Sequence, residues 1–414
     1  MMRANKTRIF LPIKKVVHDM DWLLCSLDGQ SLLEKARLQQ KIQRLRCQCK
    51  AVTAAQPELV VRLRHGRYYI ARMPGTCHLH ERATCELFSE NAEHSGIGEY
   101  VGAIEYDGDV AEIKVNFSLK KAIPAMHPVP GGRPDSKSGR VKRGSMGLSV
   151  LLSYLWSAAG LNAWTPGTVR PWSWVYSSVK DAAGAIRLGE RALADLLHVQ
   201  PDSKQVWLPT APADPTDGQD YSLLLFKVNG VAATPFGGAY LKTSVGAAIL
   251  AKETVLKAIE RSYPRAWRLL EQPWQLEDGV KPPKLICLAL VQWDTIKGAP
   301  GLSIVQAALM MTNWRDIPVE SRYELRVADQ LVEQSRFFTK PMRFDAAEDV
   351  VFADFLLSDV VDDAVPMEVY GISGNAKYEQ RKGEKRDHYR KSGQVYWEWT
   401  PEEAIPAFPP KRRS

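Results

Sequence analysis

Cys47-Gln48-Cys49, followed downstream by the run CHLHERATC from Cys77 to Cys85, gathers four thiols and two imidazoles on either side of a β-hairpin pattern. Structural zinc takes four soft or borderline donors at tetrahedral corners, and a hairpin brings donor pairs that are distant in sequence together. The spacing predicts a zinc site made by Cys47, Cys49, His80 and Cys85, with Cys77 and His78 as rival ligands. Four protein ligands close such a site, so its role would be to hold the fold. A catalytic zinc would need an open position and a base such as Glu81 or Glu86. The competing reading is a few buried, inert cysteines beside surface histidines.

A second constellation lies near the other end. Residues 344–376 contain eight acids and no Lys or Arg, and KYEQRKGEKRDHYRK behind them carries seven basic residues against three acidic. Most such charge runs are a solvated loop and a charged helix face. Asp354 and Glu368, however, sit inside the apolar segments FADFLLSD and PMEVYG. If these pair as a hairpin centred near Val361, the two carboxylates share a face with Cβ atoms ~5 Å apart. Their repulsion calls for a shared proton or a divalent cation, and Mg²⁺ accepts such an oxygen pair, completing its octahedron with water and substrate phosphate. On the following helix Tyr378, Lys382, Lys385 and Tyr389 form one stripe, from which a lysine could orient water or offset charge on a phosphate. Arg381 and Arg386 could touch a nucleic-acid backbone, and Glu324 could add a further metal ligand.

The elements that would position these groups can be read in outline. A basic amphipathic helix is expected from Ser31, with Ser31 and Glu34 as a capping box. ELVVRLR and RYYIARM read as a hairpin turning at His65-Gly66, and EYVGAIEYDGDVAEIKV as another turning at Asp107-Gly108. A Pro-, Gly- and Ser-rich basic run ends this unit. Helices follow in GLSVLLSYLWSAAGL and VYSSVKDAAGAIRLGERALADLLHV, around Trp164, Trp172 and Trp174 as packing anchors. Then come the strand YSLLLFKV, a helix over 245–262, and the strands PKLICLALVQW and GLSIVQAALMM. After Asn313 the order is helix (319–336), strands (340–344, 352–357, 366–370), helix (376–391) and strand (395–399), with a frayed basic tail. The expected division is a zinc-binding module at 1–125, a basic linker at 126–146, a mixed helical and strand domain at 147–312, the αβββαβ unit at 313–400, and the tail at 401–414. In class this is α+β and α/β, multidomain.

Over residues 318–399 the chain resembles the PD-(D/E)XK nucleases, whose restriction-endonuclease-like core is αβββαβ. That resemblance makes Asp354 the first motif acid, Glu368 the second and Glu324 the acid of the first helix. Ala353 replaces the motif proline, and Tyr370 stands in the place of the motif lysine. The resemblance then implies a lysine that has migrated to the next helix, Lys385 first and Lys382 second. CQC, RMPGTCHLH with Cys85 behind it, LSYLWSAAGLNAW, PVESRYE, KPMRFD and EVYG also resemble an uncharacterised bacterial family with three amino-terminal cysteines, often encoded on mobile elements. It implies that Cys47, Cys49 and Cys85 are those cysteines and supplies no activity.

At 414 residues the chain is too long for one small module, and 45% hydrophobic with 25% charged residues argues against disorder. Arg3, Lys6, Arg8, Lys14 and Lys15 interrupt any apolar signal core, and no stretch approaches a membrane span. A cytoplasmic protein is expected, with no membrane partner and with oligomeric state left open. The net charge of +8 permits a polyanionic partner. The expected function is a Mg²⁺-dependent, nuclease-like hydrolase of nucleic acid, DNA in particular. The alternative is a non-catalytic, zinc-containing nucleic-acid-binding or accessory protein of a mobile element.

Overall fold

A computed structural model describes residues 7–40, 42–50, 56–64, 67–72, 80, 85, 103–107, 110–119, 145–203, 206–212, 220–272, 281–342, 353–360, 364–371 and 376–412. Cys77, His78, Glu81, Glu86, residues 344–352 and 361–363 of the acidic run, and residues 126–144 of the basic linker lie outside the described residues.

The first unit contains β1 (Arg8–Leu11), β2 (Val16–Asp19), α1 (Met20–Cys25), α2 (Leu27–Gln39), β3 (Leu45–Cys47), β4 (Glu58–Arg64) and β5 (Arg67–Arg72), with an antiparallel sheet ordered β2-β1-β3-β4-β5. The expected β4–β5 hairpin is present, but the helix differs from expectation. It starts at Leu27, capped by the Ser26 hydroxyl, which accepts from Gly29 N at 2.9 Å, so Ser31 lies in its interior. Gly29 makes this start possible: a Cβ there would stand 2.5 Å from Trp22 O of α1. The helix stops before Ile42, which is 86% exposed. Leu32, Leu33 and Ala36 pack against Ile9, Leu11, Leu59 and Val61 in a core that also contains Cys47 and Cys85.

The hairpin of β6 (Ile104–Asp107) and β7 (Val110–Ile113) is completed by later chain. After α3 (Leu148–Ala158), β8 (Ala163–Trp164) and α4 (Trp172–Gly184) come β9 (Ile186–Leu188), β10 (Arg191–Ala192), α5 (Leu193–Leu196) and β11 (Leu197–Val199). β9 pairs parallel with β7 in a sheet ordered β10-β9-β7-β6. The long helix expected over this stretch is therefore split. Gly189, at φ +61°, turns β9 into β10 in a left-handed conformation that glycine adopts without strain. Trp164 and Trp172 are buried as expected, Trp172 donating to Gln200 O at 2.7 Å.

β12 (Ser222–Ala233), β13 (Ala239–Thr243), β14 (Ala248–Ala251), α6 (Glu253–Ser262), α7 (Pro264–Glu271), β15 (Lys284–Ile296) and β16 (Ala299–Thr312) follow. The helix expected from residue 245 begins at Glu253, because AILA alternates burial as a strand does. β12 pairs with β13, β13 with β14, β14 with β16 in parallel, β16 with β15, and β15 back with β12. The five strands therefore close a barrel in the order first-second-third-fifth-fourth, with α6 and α7 inserted between third and fourth. A register shift between Val228 and Gly230 bends β12 so that it can serve two neighbours. Leu224, Phe226, Leu241, Ile249, Cys287 and Ile304 fill the interior, and Leu223, Leu225, Leu288 and Ala308 face outward onto α3 and α4.

The last unit is α8 (Arg322–Glu333), β17 (Phe338–Thr339), β18 (Phe355–Leu357), β19 (Val365–Val369), α9 (Ala376–Ser392) and β20 (Trp397–Trp399). Its sheet is ordered β20-β19-β18-β17-β8, antiparallel except for β19 with β20, and β8 arrives from far upstream. The tail, expected to fray, is held: Phe408 packs on Trp397 with ring centroids 5.4 Å apart, and Arg412 N donates to Asp359 O at 2.7 Å. No described helix is long and apolar enough to cross a membrane.

Candidate functional site

Cys47 closes β3, where antiparallel pairing sets it opposite Ile9, and Cys49 follows it by two residues. His80 and Cys85 meet them. The donor atoms of all four lie within 4.8 Å of one another. The Cys47 and Cys85 sulfurs are 3.5 Å apart, and His80 Nδ1 stands 3.4 Å from Cys85 Sγ and 3.7 Å from Cys49 Sγ. Two sulfurs bound at ~2.3 Å to a tetrahedral ion would be roughly 3.8 Å apart, so these spacings fit a metal ion of that kind. Cys85 as hydrogen-bond partner, and then burial, push the Cys47 thiol far up. A metal would release those protons and replace mutual repulsion with attraction. His80 is buried, and its Nε2 has no partner among the described residues. The set expected from the sequence is the set the chain brings together.

The carboxylates come together from three elements. In the β18–β19 hairpin, Phe355 faces Met367 and Leu357 faces Val365, which sets position 354 opposite 368. Asp354 N donates to Met367 O at 2.9 Å, and an Asp354 carboxylate oxygen accepts from Val369 N at 2.7 Å. Glu368 is fully buried, and Asp354 is nearly so. From α9, Lys385 Nζ donates to Glu368 Oε2 at 2.6 Å and Tyr389 OH to Oε1 at 2.6 Å. From the first turn of α8, Glu324 accepts from Glu320 N at 3.0 Å and from Lys340 Nζ at 2.7 Å, while Lys340 also lies 3.8 Å from Glu320. Ser321 caps this helix, accepting from Glu324 N at 3.1 Å, and so fixes the backbone from which Glu324 projects.

Electrostatics tie the groups into one cluster. Burial first, then the charge of Asp354, pushes the Glu368 carboxyl up to about 7 against the pull of Lys385 and Tyr389. Burial likewise pushes Glu324 up to about 7, with Asp354 and Glu320 adding to it and Lys340 opposing. Four carboxyls thus face two ammoniums. The imbalance can be met by protons held near neutral pH or by a divalent cation.

Lys382 is not part of this group: its Nζ lies over the Tyr370 ring, 4.8 Å from the centroid. Arg386 pairs with Glu398 of β20 at 2.5 Å. Asp359, from the acidic run, forms a two-pronged pair with Arg336 at 2.8 and 2.9 Å and is a structural clamp. Sequence reading gave Lys340 and Tyr389 no contact with a carboxylate. Each carries a local signal: Lys340 shares a strand face with buried Phe338, and Tyr389 is one turn beyond Lys385.

A family model described as "Protein of unknown function (DUF1173)" matches residues 25–402. No curated protein and no solved structure matches the chain.

Proposed function

The chain belongs to this family of unknown function, which offers no activity to inherit, and we propose that it is a divalent-metal-dependent, nuclease-like protein that hydrolyses phosphodiester bonds of nucleic acid, DNA foremost. The observation that carries the reading is the register pairing of Asp354 with Glu368 inside an α8-β17-β18-β19-α9-β20 unit, with Lys385 reaching the second acid. That order resembles the αβββαβ core of the PD-(D/E)XK nucleases, with the lysine supplied by the following helix, and the resemblance supports the reading. Asp354 and Glu368 would hold Mg²⁺, with Glu324 beside them; the ion would supply Lewis-acid charge at the phosphate. Lys385, on leaving Glu368, would orient water or offset charge on the phosphate. Lys340 holds Glu324 in place and opposes the upward push that burial gives its carboxyl.

We assign the amino-terminal cluster to zinc, supported by three sulfurs and one imidazole at tetrahedral spacing. It stabilises its module and takes no part in hydrolysis. Purified protein should carry about one zinc per chain, lost in Cys47→Ser. A metal content near zero with freely titrating thiols would refute the assignment.

Cleavage of plasmid and single-stranded DNA with Mg²⁺ or Mn²⁺ tests the main reading. Wild type should cut, and Glu368→Gln should cut at least roughly 100-fold more slowly. Cutting that is independent of metal, or unaffected by the substitution, would overturn it. A second reading, a mobile-element accessory protein that binds without cutting, is favoured by one observation: both oxygens of Glu368 already accept from Lys385 and Tyr389, so an ammonium occupies the place a metal would take. Wild type that binds nucleic acid but never cuts supports that second reading.

A further inference from the structure

We propose that the outer face of β13 and β14, between the 234–238 loop and the turn at Lys297 and Gly298, is a binding platform for single-stranded nucleic acid. The inference stands on the barrel alone and does not depend on the carboxylate site. Barrels closed in this strand order, with a helical insert between third and fourth strands, present the second and third strands and the two loops beside them to oligonucleotides or oligosaccharides.

Among the described residues, no helix packs chiefly on that face. α3 packs on β15 and β16, whereas β13 makes its main contacts with its own strand neighbours β12 and β14. Burial alternates along β13, with Ala239, Leu241 and Thr243 inside and Tyr240 and Lys242 outside. Register sets Tyr240 between Ala232 and Leu250, and Lys242 between Gly230 and Ala248, so mostly small neighbours leave the ring and the ammonium accessible. At one end of the face Phe236 is 83% exposed. Its loop is fixed by Thr234 N donating to Gly238 O at 2.7 Å and Gly238 N to the Thr234 hydroxyl at 3.2 Å. At the other end the two-residue turn carries exposed Lys297.

Charge selects the occupant. Residues 221–252 include three lysines and no Asp or Glu. The nearest acids are neutralised: Asp294 pairs with Lys252 at 2.6 Å and Glu253 with Lys257 at 2.6 Å. Lys242 and Lys297 have no carboxylate partner among the described residues. Two aromatic rings for base stacking and two lysines for phosphates, beside strands β12 to β14 that carry no acid, match an extended single strand. A duplex offers no unstacked bases to Phe236 and Tyr240, and a neutral saccharide does not call for the lysines.

The test uses the full chain, without added divalent metal, and fluorescence anisotropy with labelled single strands of DNA and of RNA, roughly 15 nucleotides long, and a duplex of the same sequence. Either single strand should bind more tightly than the duplex. Phe236→Ala should weaken that binding by roughly 5- to 100-fold, and Lys242→Glu should weaken it while flattening its dependence on salt. Both residues are on the surface, and unchanged thermal unfolding of the variants would show that the fold is intact. Affinity that neither substitution changes, duplex binding as tight as single-strand binding, or displacement by heparin that is insensitive to Phe236→Ala would overturn the proposal.

Discussion

Asp329 shows how one buried carboxyl sets a pH response. It lies on the inner face of α8 and accepts from Asn313 Nδ2 at 2.9 Å. Burial pushes it up to about 7, against the pull of that hydrogen bond. A raised acid is protonated in the folded chain over a range where the unfolded chain has already ionised. Its stabilising effect is therefore full below the unfolded value near 4 and is lost as pH rises to about 7. Asp329→Asn should remove that slope and raise stability at pH 8 by roughly 3 kcal/mol, read from denaturant unfolding at several pH values. Lys340 makes the complementary case. Lys340→Met would leave Glu324 buried without its cation, at a cost of about 3–5 kcal/mol, and adding Glu324→Leu should recover most of it.

At the scale of elements, legibility followed locality. The β18–β19 hairpin was readable because its partners are neighbours in sequence and its apolar residues mark both strands; Asp354 and Glu368 came with it. The cysteine set was readable for the same reason, since the β4–β5 hairpin lies between its ligand pairs. The barrel was not, although YSLLLFKV, PKLICLALVQW and GLSIVQAALMM all read as strands. Its closure depends on β14, four residues long, which merged with α6 into one apparent helix. The turn between β15 and β16 also lacks an Asn-Gly or Asp-Gly signal, using Lys297 at φ 52° and Gly298 at φ 81°. Gly298→Ala, forced to keep that left-handed conformation, should cost roughly 1 kcal/mol in thermal unfolding. The split of the α4 helix rests likewise on one glycine and on a parallel pairing with β7 that no local pattern announces.

For the whole molecule, the cores show which parts depend on each other. The cysteine cluster closes a separate core of Ile9, Leu23, Leu33 and Leu59, whereas the barrel interior continues without a break into the hydrophobic side of the β17–β20 sheet. Chelation should therefore open the first unit while leaving the rest protected. Limited proteolysis with and without a chelator should release fragments from the first 72 residues ahead of any from 145–412. The C-terminal sheet has no such independence, because its edge strand β8, Ala163–Trp164, is donated by chain that precedes the barrel. During synthesis β8 leaves the ribosome long before β17 exists to receive it, and the whole barrel must emerge between them. Assembly of the carboxylate-bearing sheet is thus a late step, and a ribosome stalled after the barrel has emerged but before α9 would hold a chain with a formed barrel and no Lys385 to meet Glu368.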